Sequence, residues 1–138
     1  FVVDRGKAAG AGDQIGTVLY NRGMYNAMLI TEAARTAQAI AGKSNISTAD
    51  MIKGFEALEM TEEKRAALGL PGFGPSFSVS CENHGGDGMV AVAQWDAGAG
   101  KWSIVSDFQP SDMSVIQPLI DADSGAFASE NNLSPNCN

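Results

Sequence analysis

The hydrophobic pattern of the first half of the chain predicts three helices. From Arg22 to Ala41, apolar residues recur mostly at three- and four-residue steps, which is typical of an amphipathic helix, and Gly42 follows as its end. A second helix is predicted from Thr48 to Leu58, with its apolar residues on one stripe. A third, short helix is predicted from Glu62 to Leu68.

The predicted helix boundaries carry capping signals. Ser47 and Asp50 resemble a capping box in which Asp replaces the usual Glu. Thr61 can cap the third helix, whose two acidic residues lie in the first turn, where the helix dipole favours them. Gly69 closes this helix, and the segment Leu70–Pro75 is a connector because its prolines and glycines do not suit a helix interior.

The pattern switches to period two in the second half, which indicates strands. The predicted strands run from Phe77 to Cys81, from Val90 to Trp95 and from Trp102 to Phe108. The segment Asp96–Gly100 reads as a hairpin loop between the last two. We therefore expect a three-stranded antiparallel meander.

A terminal helix is predicted after the strands. The segment Pro110–Asp112 reads as a helix entry with Ser111 or Asp112 as the cap. An apolar face follows, formed by Met113, Ile116, Leu119 and Ile120. Pro118 should break or restart this helix, and Ser124–Asn131 would then form a separate helical turn.

The order of elements points to part of an α/β protein. Phe1–Val3 reads as the end of a strand, and the Gly-rich segment Lys7–Asp13 reads as a loop. A meander this small rarely folds alone, so it needs the helices or a partner lobe.

Composition and charge exclude several classes. The chain has 138 residues, which suits one compact domain, and no apolar run approaches the length of a transmembrane helix. Its formal net charge is -7, so nucleic-acid binding and docking on an anionic membrane are disfavoured. One histidine excludes catalytic sites or metal cages that need two.

The two cysteines leave two interpretations open. Cys81 and Cys137 lie 56 positions apart. A sparse, even count suits one disulfide in an oxidising compartment, and the alternative is a pair of reduced, buried thiols.

Three residues near the start of the first helix are candidates for binding a ligand. Tyr20, Arg22 and Tyr25 lie where a loop is expected to enter the helix. A helix N-terminus and an Arg suit a carboxylate, and Tyr adds an apolar wall with one hydroxyl. The alternative is that both tyrosines pack in the core and Arg22 is a solvated charge.

The segment around His84 offers a weak metal signal. Cys81 and His84 have the spacing that begins some zinc sites, but no second Cys or His pair lies nearby. Glu82, Asn83 and Asp87 lack the regular spacing of a calcium loop. We therefore expect a hairpin turn, no metal and no cofactor.

Two tryptophans flank the predicted hairpin loop. Trp95 and Trp102 suit cross-strand packing, with ligand stacking as the alternative.

Several segments resemble a known family. The stretch Ile15–Ala27, the helix residues Glu32–Ala37 and the Cys-x-x-His-x-Gly turn in Val79–Gly86 are similar to the C-terminal part of type I periplasmic binding proteins. The pair Gln94-Trp95-Asp96 and Lys101-Trp102 resembles the terminal hairpin of that family, and a Cys near the C-terminus completes the pattern. More narrowly, the chain resembles the solute-binding components of branched-chain amino acid ABC transporters, over about residues 13 to 138.

The resemblance implies a fold and a division of the chain. Type I binding proteins have two α/β lobes that enclose the solute, and both lobes do not fit in this length. The chain would be the C-terminal part of such a protein, with the remainder missing. Residues 1–75 would be a helical portion packing on one lobe, and residues 76–138 would complete the other lobe with the meander, helix and tail. The resemblance also implies a disulfide between Cys81 and Cys137.

The resemblance further implies a non-enzymatic function. The protein would be the periplasmic or extracytoplasmic solute-binding component of an ABC importer, closing about a hinge on a branched-chain (Leu, Ile or Val) or other small amino acid, or on a related amide or organic acid. Tyr20, Arg22 and Tyr25 would contact the solute, and membrane permease subunits would be the partners. The alternatives are a ligand-sensing regulatory domain of the same fold and, less favoured, a hydrolase that would need His84 as its base.

Overall fold

The computed structural model describes residue 6, residues 12–134 and residue 137. The predicted strand end at Phe1–Val3 lies outside the described residues, as does most of the predicted loop Lys7–Asp13. The last part of that loop enters a short 3₁₀ turn, Gly12–Gln14.

The described residues form helices joined by very short strands. The helices are α1 (Val18–Ala41), α2 (Thr48–Glu56), α3 (Glu62–Ala67) and α4 (Met113–Glu130). The strands are β1 (Glu59–Met60), β2 (Phe77–Ser78), β3 (Met89–Val90), β4 (Ala93–Asp96), β5 (Lys101–Ile104) and β6 (Gln109–Pro110). The chain divides into two compact units, Phe1–Gly86 and Asp87–Asn138.

Helix α1 is longer than the apolar stripe predicted. It begins at Val18 because the hydroxyl of Thr17 accepts a hydrogen bond from the Tyr20 N–H at 3.4 Å. It ends where predicted, at Gly42, whose φ of 64° lies in the left-handed region that glycine adopts without a steric penalty.

The capping predictions for the next two helices are confirmed. The Asp50 N–H donates to the Ser47 hydroxyl at 3.2 Å, and the Ser47 N–H donates to the Asp50 carboxylate at 2.8 Å. These reciprocal bonds form a capping box, as the sequence indicated. Thr61 caps α3 by accepting from the Lys64 N–H at 3.3 Å. Helices α2 and α3 end two residues and one residue before their predicted ends, respectively.

The first unit is built on a close contact between α1 and α2. Gly54 of α2 is buried, and a Cβ atom there would meet the backbone carbonyl of Ala33 and lie 2.7 Å from the Ala37 Cβ. Small residues on both helices therefore let their backbones approach. The buried hydrophobic residues of the described chain are Met28, Ala33, Ala37, Leu58 and Met60.

A buried arginine fastens α3 to the connector that follows it. The Arg65 side chain is 3% exposed and pairs with the Glu62 carboxylate at 2.6 Å. Its guanidinium also donates to the carbonyls of Met60 at 3.3 Å and Pro75 at 2.8 Å. The charge is thus paired and hydrogen-bonded, which is what burial of a guanidinium requires.

The predicted three-stranded meander is wrong, because the strands form three separate antiparallel pairs. Strand β2 pairs with β1, with Met60 opposite Phe77, rather than with the next strand along the chain. The alternation at Ser78–Cys81 stops at a turn, in which the N–H groups of Ser80 and Asn83 each donate to the other residue's carbonyl at 3.2 Å. The residues Phe77–Cys81 consequently belong to the first unit. The predicted division between residues 75 and 76 concerned lobes of a longer protein and stays a prediction.

The second unit contains the predicted hairpin. Strands β4 and β5 pair around the loop after Asp96, with Trp95 opposite Trp102. The Asp96 carboxylate accepts from the N–H groups of Gly98 at 2.9 Å and Ala99 at 3.0 Å, which closes the loop. Strands β3 and β6 flank this hairpin and pair with each other.

Helix α4 runs without interruption through Pro118, so the predicted break is wrong. One proline removes one backbone donor, and the turns on either side keep their own bonds. Asp112 caps the helix, as predicted, by accepting from the Ser114 N–H at 3.1 Å. The predicted separate turn at Ser124–Asn131 is mostly the end of this same helix. The predicted apolar face is exposed at Met113, Ile116, Leu119 and Ile120.

Candidate functional site

The three predicted ligand-binding residues all lie within α1. Tyr20 and Tyr25 are half-buried, and Arg22 is exposed. At about 100° per residue, Arg22 and Tyr25 share one side of the helix, whereas Tyr20 points roughly 140° away from Tyr25. Tyr20 lies in the first turn of α1, which begins at Val18, whereas Arg22 and Tyr25 lie further along the helix than the predicted junction. Their role in binding a ligand stays a prediction.

Tyr25 has a structural role. Its hydroxyl donates to the Pro75 carbonyl at 3.2 Å, the same carbonyl that accepts from Arg65. Its ring packs against Phe73 with centroids 6.4 Å apart. Gly74 lies beneath the ring with a φ of 96°, where a Cβ atom would come within 2.7 Å of Tyr25. The tyrosine therefore holds the connector against α1.

An open apolar cavity of about 480 Å³ lies in the first unit. Its apolar walls come from α1, α2 and β2 and from the residues that directly follow α2 and β2. The apolar residues that line it are Leu29, Ile30, Ile52, Phe55, Leu58, Phe77 and Val79. Three polar residues also line it, Asn26, Glu56 and His84. None of the predicted ligand-binding residues lines this cavity.

Glu56, Cys81 and His84 meet beside this cavity. One ligand atom from each lies within 4.8 Å of the other two, and the His84 Nε2 is 3.9 Å from the Glu56 carboxylate. The Cys-x-x-His spacing indicated two of the three residues. Glu56 was missed because it comes from the end of α2, 25 positions before Cys81, and only tertiary packing brings it there.

The disulfide between Cys81 and Cys137 is present, which confirms the expectation drawn from the family pattern. The Cys81 sulfur is therefore bonded to the Cys137 sulfur. While the disulfide is intact, Cys81 has no thiolate that could act as a zinc ligand or as a nucleophile.

The glycines after Cys81 form a tight turn. Gly86 is buried with a φ of 72°, and a Cβ atom there would lie 2.9 Å from the Phe77 Cζ. The Asn83 side-chain amide donates to the Gly86 carbonyl at 3.1 Å. The segment is thus a turn, as expected, but it joins β2 to β3, which do not pair into a hairpin.

The two tryptophans pack across the hairpin. The ring centroids of Trp95 and Trp102 lie 5.6 Å apart at an interplanar angle of 57°. This tilted geometry is typical of an aromatic cross-strand pair, and it confirms packing as their structural arrangement.

Comparison with known proteins yields one strong likeness. No family model matches the sequence, and no curated protein matches it. The chain is similar to a solved structure of an ABC transporter permease from the Pseudomonas fluorescens group, with 34% identity and a TM-score of 0.87. The likeness covers all of this chain and 33% of that one.

This likeness corrects the family resemblance drawn from the motifs. The similar protein is an ABC transporter permease, so the identification as a type I periplasmic binding protein is wrong. The expectation of a component that binds Leu, Ile, Val or another solute is wrong for the same reason. The alternative of a ligand-sensing domain depended on the same identification and loses its basis.

The ABC transporter link itself is supported. Among the helices of the described residues, none has the length and apolar content that crossing a membrane requires. The chain spans about a third of the length of the solved structure that it matches, and it has the fold of that third of an ABC transporter permease.

Proposed function

We propose that this chain is a portion of an ABC transporter component and that it associates with the membrane subunits of such a transporter. One observation carries the proposal: all of the chain matches a third of an ABC transporter permease at 34% identity and a TM-score of 0.87. At this identity, the likeness supports association with an ABC transporter system. That the contacting subunits are the membrane subunits is a more specific proposal.

The proposed role is non-enzymatic. The chain contains one histidine, and the cysteine sulfur that lies within 4.8 Å of it, that of Cys81, is held in the disulfide. A cysteine nucleophile acts as the thiolate, so this pair does not supply a nucleophile and base. With the disulfide intact, His84→Ala is accordingly expected to leave transport by the assembled system unchanged.

We also propose a periplasmic or other extracytoplasmic location for this portion. The support is the Cys81–Cys137 disulfide, because structural disulfides persist mainly in oxidising compartments. Alkylating intact cells and then mapping the modified cysteines tests this directly. Both cysteines should resist alkylation until a reductant is added, and finding both alkylated without reductant would contradict the proposed location.

Co-purification tests the proposed association. The full protein that contains this chain is tagged, expressed in its own host at its native level, and purified from membranes in mild detergent. The copurified proteins are then identified and quantified by mass spectrometry. We expect the membrane subunits of an ABC transporter, together with their ATP-binding subunit, in a fixed ratio to the tagged protein.

A matched sample makes the result specific. An unrelated tagged protein of similar abundance, purified in the same way, sets the background level of the ATP-binding subunit. Equal amounts of that subunit in both samples would refute the proposed association.

A further inference from the structure

We propose that reduction of the Cys81–Cys137 disulfide opens a binding site for a zinc-type divalent cation, formed by Cys81, His84 and Glu56. The site lies wholly within the first unit. The inference does not depend on the transporter role, because it follows from the side chains that meet beside the cavity.

The spacing of the three ligand atoms suits a single cation. They lie within 4.8 Å of one another, and the His84 Nε2 is 3.9 Å from the Glu56 carboxylate. Ligand atoms that lie about 2.0–2.3 Å from a tetrahedral zinc ion are roughly 3.3–3.7 Å from one another. The remaining adjustment is small, and His84 is free to make it because its side chain is 67% exposed.

The backbone holds two of the ligands in place before any cation arrives. Cys81 lies within a turn that is closed by reciprocal hydrogen bonds between Ser80 and Asn83, and His84 directly follows that turn. The Asn83 amide then ties this turn to the Gly86 carbonyl, and Gly86 packs against Phe77. Glu56 approaches from the end of α2, which is a separate rigid element.

The ligand set matches zinc chemistry. One thiolate, one neutral imidazole and one carboxylate are ordinary zinc ligands, and a water molecule would complete four-coordination. Two negative ligands balance the charge of a divalent cation. Hard cations such as Mg²⁺ and Ca²⁺ prefer all-oxygen sites, so the thiolate selects against them.

The disulfide is the switch. In the oxidised protein, the Cys81 sulfur carries no negative charge, and only Glu56 and His84 remain as ligands. A dithiol reductant transfers two electrons and two protons to the disulfide by thiol–disulfide exchange, giving two protein thiols and the oxidised, cyclic reductant. The cation then binds as the Cys81 thiol releases its proton to water.

Two cysteine variants distinguish the effect of the Cys81 thiol from the effect of losing the disulfide. Cys137→Ser removes the disulfide and keeps the Cys81 thiol, whereas Cys81→Ser removes the disulfide and the proposed ligand. Each variant is titrated with Co²⁺ as a spectroscopic stand-in for zinc, and Zn²⁺ is then added as a competitor. Circular dichroism of each variant checks that it is folded.

We expect Cys137→Ser to bind one Co²⁺ with a sulfur-to-cobalt charge-transfer band that Zn²⁺ abolishes. Oxidised wild-type protein should lack the band, and wild-type protein reduced with a dithiol and then desalted anaerobically should show it. In the Cys137→Ser background, His84→Ala and Glu56→Gln should each weaken Co²⁺ binding at least about tenfold.

Two outcomes would overturn the proposal. One is an equal band in Cys81→Ser, which would make Cys137 the ligand. The other is the absence of the band from reduced wild-type protein and from Cys137→Ser alike. The reduced wild-type protein decides the matter if Cys137→Ser fails to fold.

Discussion

At the residue scale, the fold depends on a few positions where side-chain size or charge is fixed by close neighbours. Gly54 admits no Cβ because α1 lies directly against it, and Arg65 gathers one carboxylate and two carbonyls around a buried guanidinium. Neither role is visible in the sequence. The neighbours of Gly54, Ala33 and Ala37, lie in another helix, and the Pro75 carbonyl that Arg65 binds lies ten positions further along the chain.

Gly54→Ala is expected to destabilise the chain by about 1–3 kcal/mol, because the added methyl group meets the Ala33 carbonyl and Ala37. Gly23→Ala in α1 is the matched control, since a Cβ there meets nothing within 4 Å. That change should stabilise by roughly 0.5–1 kcal/mol through helix propensity. Denaturant unfolding of both variants checks this, and an equal response would refute the close α1–α2 contact.

Asp50 makes the free energy of unfolding depend on pH in the acidic range. Hydrogen bonds from Ser47 and then Lys43 hold the pKa of the Asp50 carboxyl well below its ordinary value of 3.8. The unfolded state therefore takes up the proton first as the pH falls. The stabilisation from Asp50 is complete above pH 3.8 and is lost progressively below it.

Unfolding curves of the wild type and Asp50→Asn, measured from neutral pH down to pH 2, test this sign. The wild type should be the more stable protein at neutral pH, and the difference should shrink as the pH falls below 3.8. A difference that stays constant or grows toward low pH would contradict the capping role of the carboxylate.

At the element scale, the sequence predicted what depends on near neighbours along the chain. The caps at Ser47, Thr61 and Asp112 and the hairpin β4–β5 all join residues a few positions apart. The pairing of β1 with β2 joins residues 17 or more positions apart across α3, so alternation alone gave it no signal. For the same reason, the sequence did not indicate that Glu56 lies beside Cys81 and His84.

Pro118 within α4 still has a cost although it does not break the helix. It removes one backbone donor and crowds the preceding turn. Pro118→Ala should therefore stabilise α4 by up to about 3 kcal/mol. Amide hydrogen exchange of the residues on either side should slow in the variant, and faster exchange there would show that the proline fits the helix without strain.

At the scale of the whole molecule, the disulfide is the main covalent constraint in the described residues. Cys81 and Cys137 close a loop of more than fifty residues, so the bond restricts the unfolded chain strongly. The cysteine pairing was correctly expected from the family pattern, whereas the family itself was not. Motifs that are short and individually weak identified a transporter context but assigned the wrong component.

Reduction of this disulfide should lower the free energy of unfolding by about 4 kcal/mol in the chain-entropy model. Urea unfolding with and without a dithiol measures the change, and Cys137→Ser without reductant should match the reduced wild type. A change well under 1 kcal/mol would mean that the reduced unfolded chain is already compact.

We propose above that this chain is a portion of an ABC transporter component, and the amount of ABC-type ATP-binding subunit that purifies with its parent protein tests that proposal. We expect a fixed ratio between the two proteins that persists through a second, size-based separation of the detergent-solubilised complex. Complete separation of the parent protein from the ATP-binding subunit, with that subunit at the background level of the unrelated control, would contradict the proposed association.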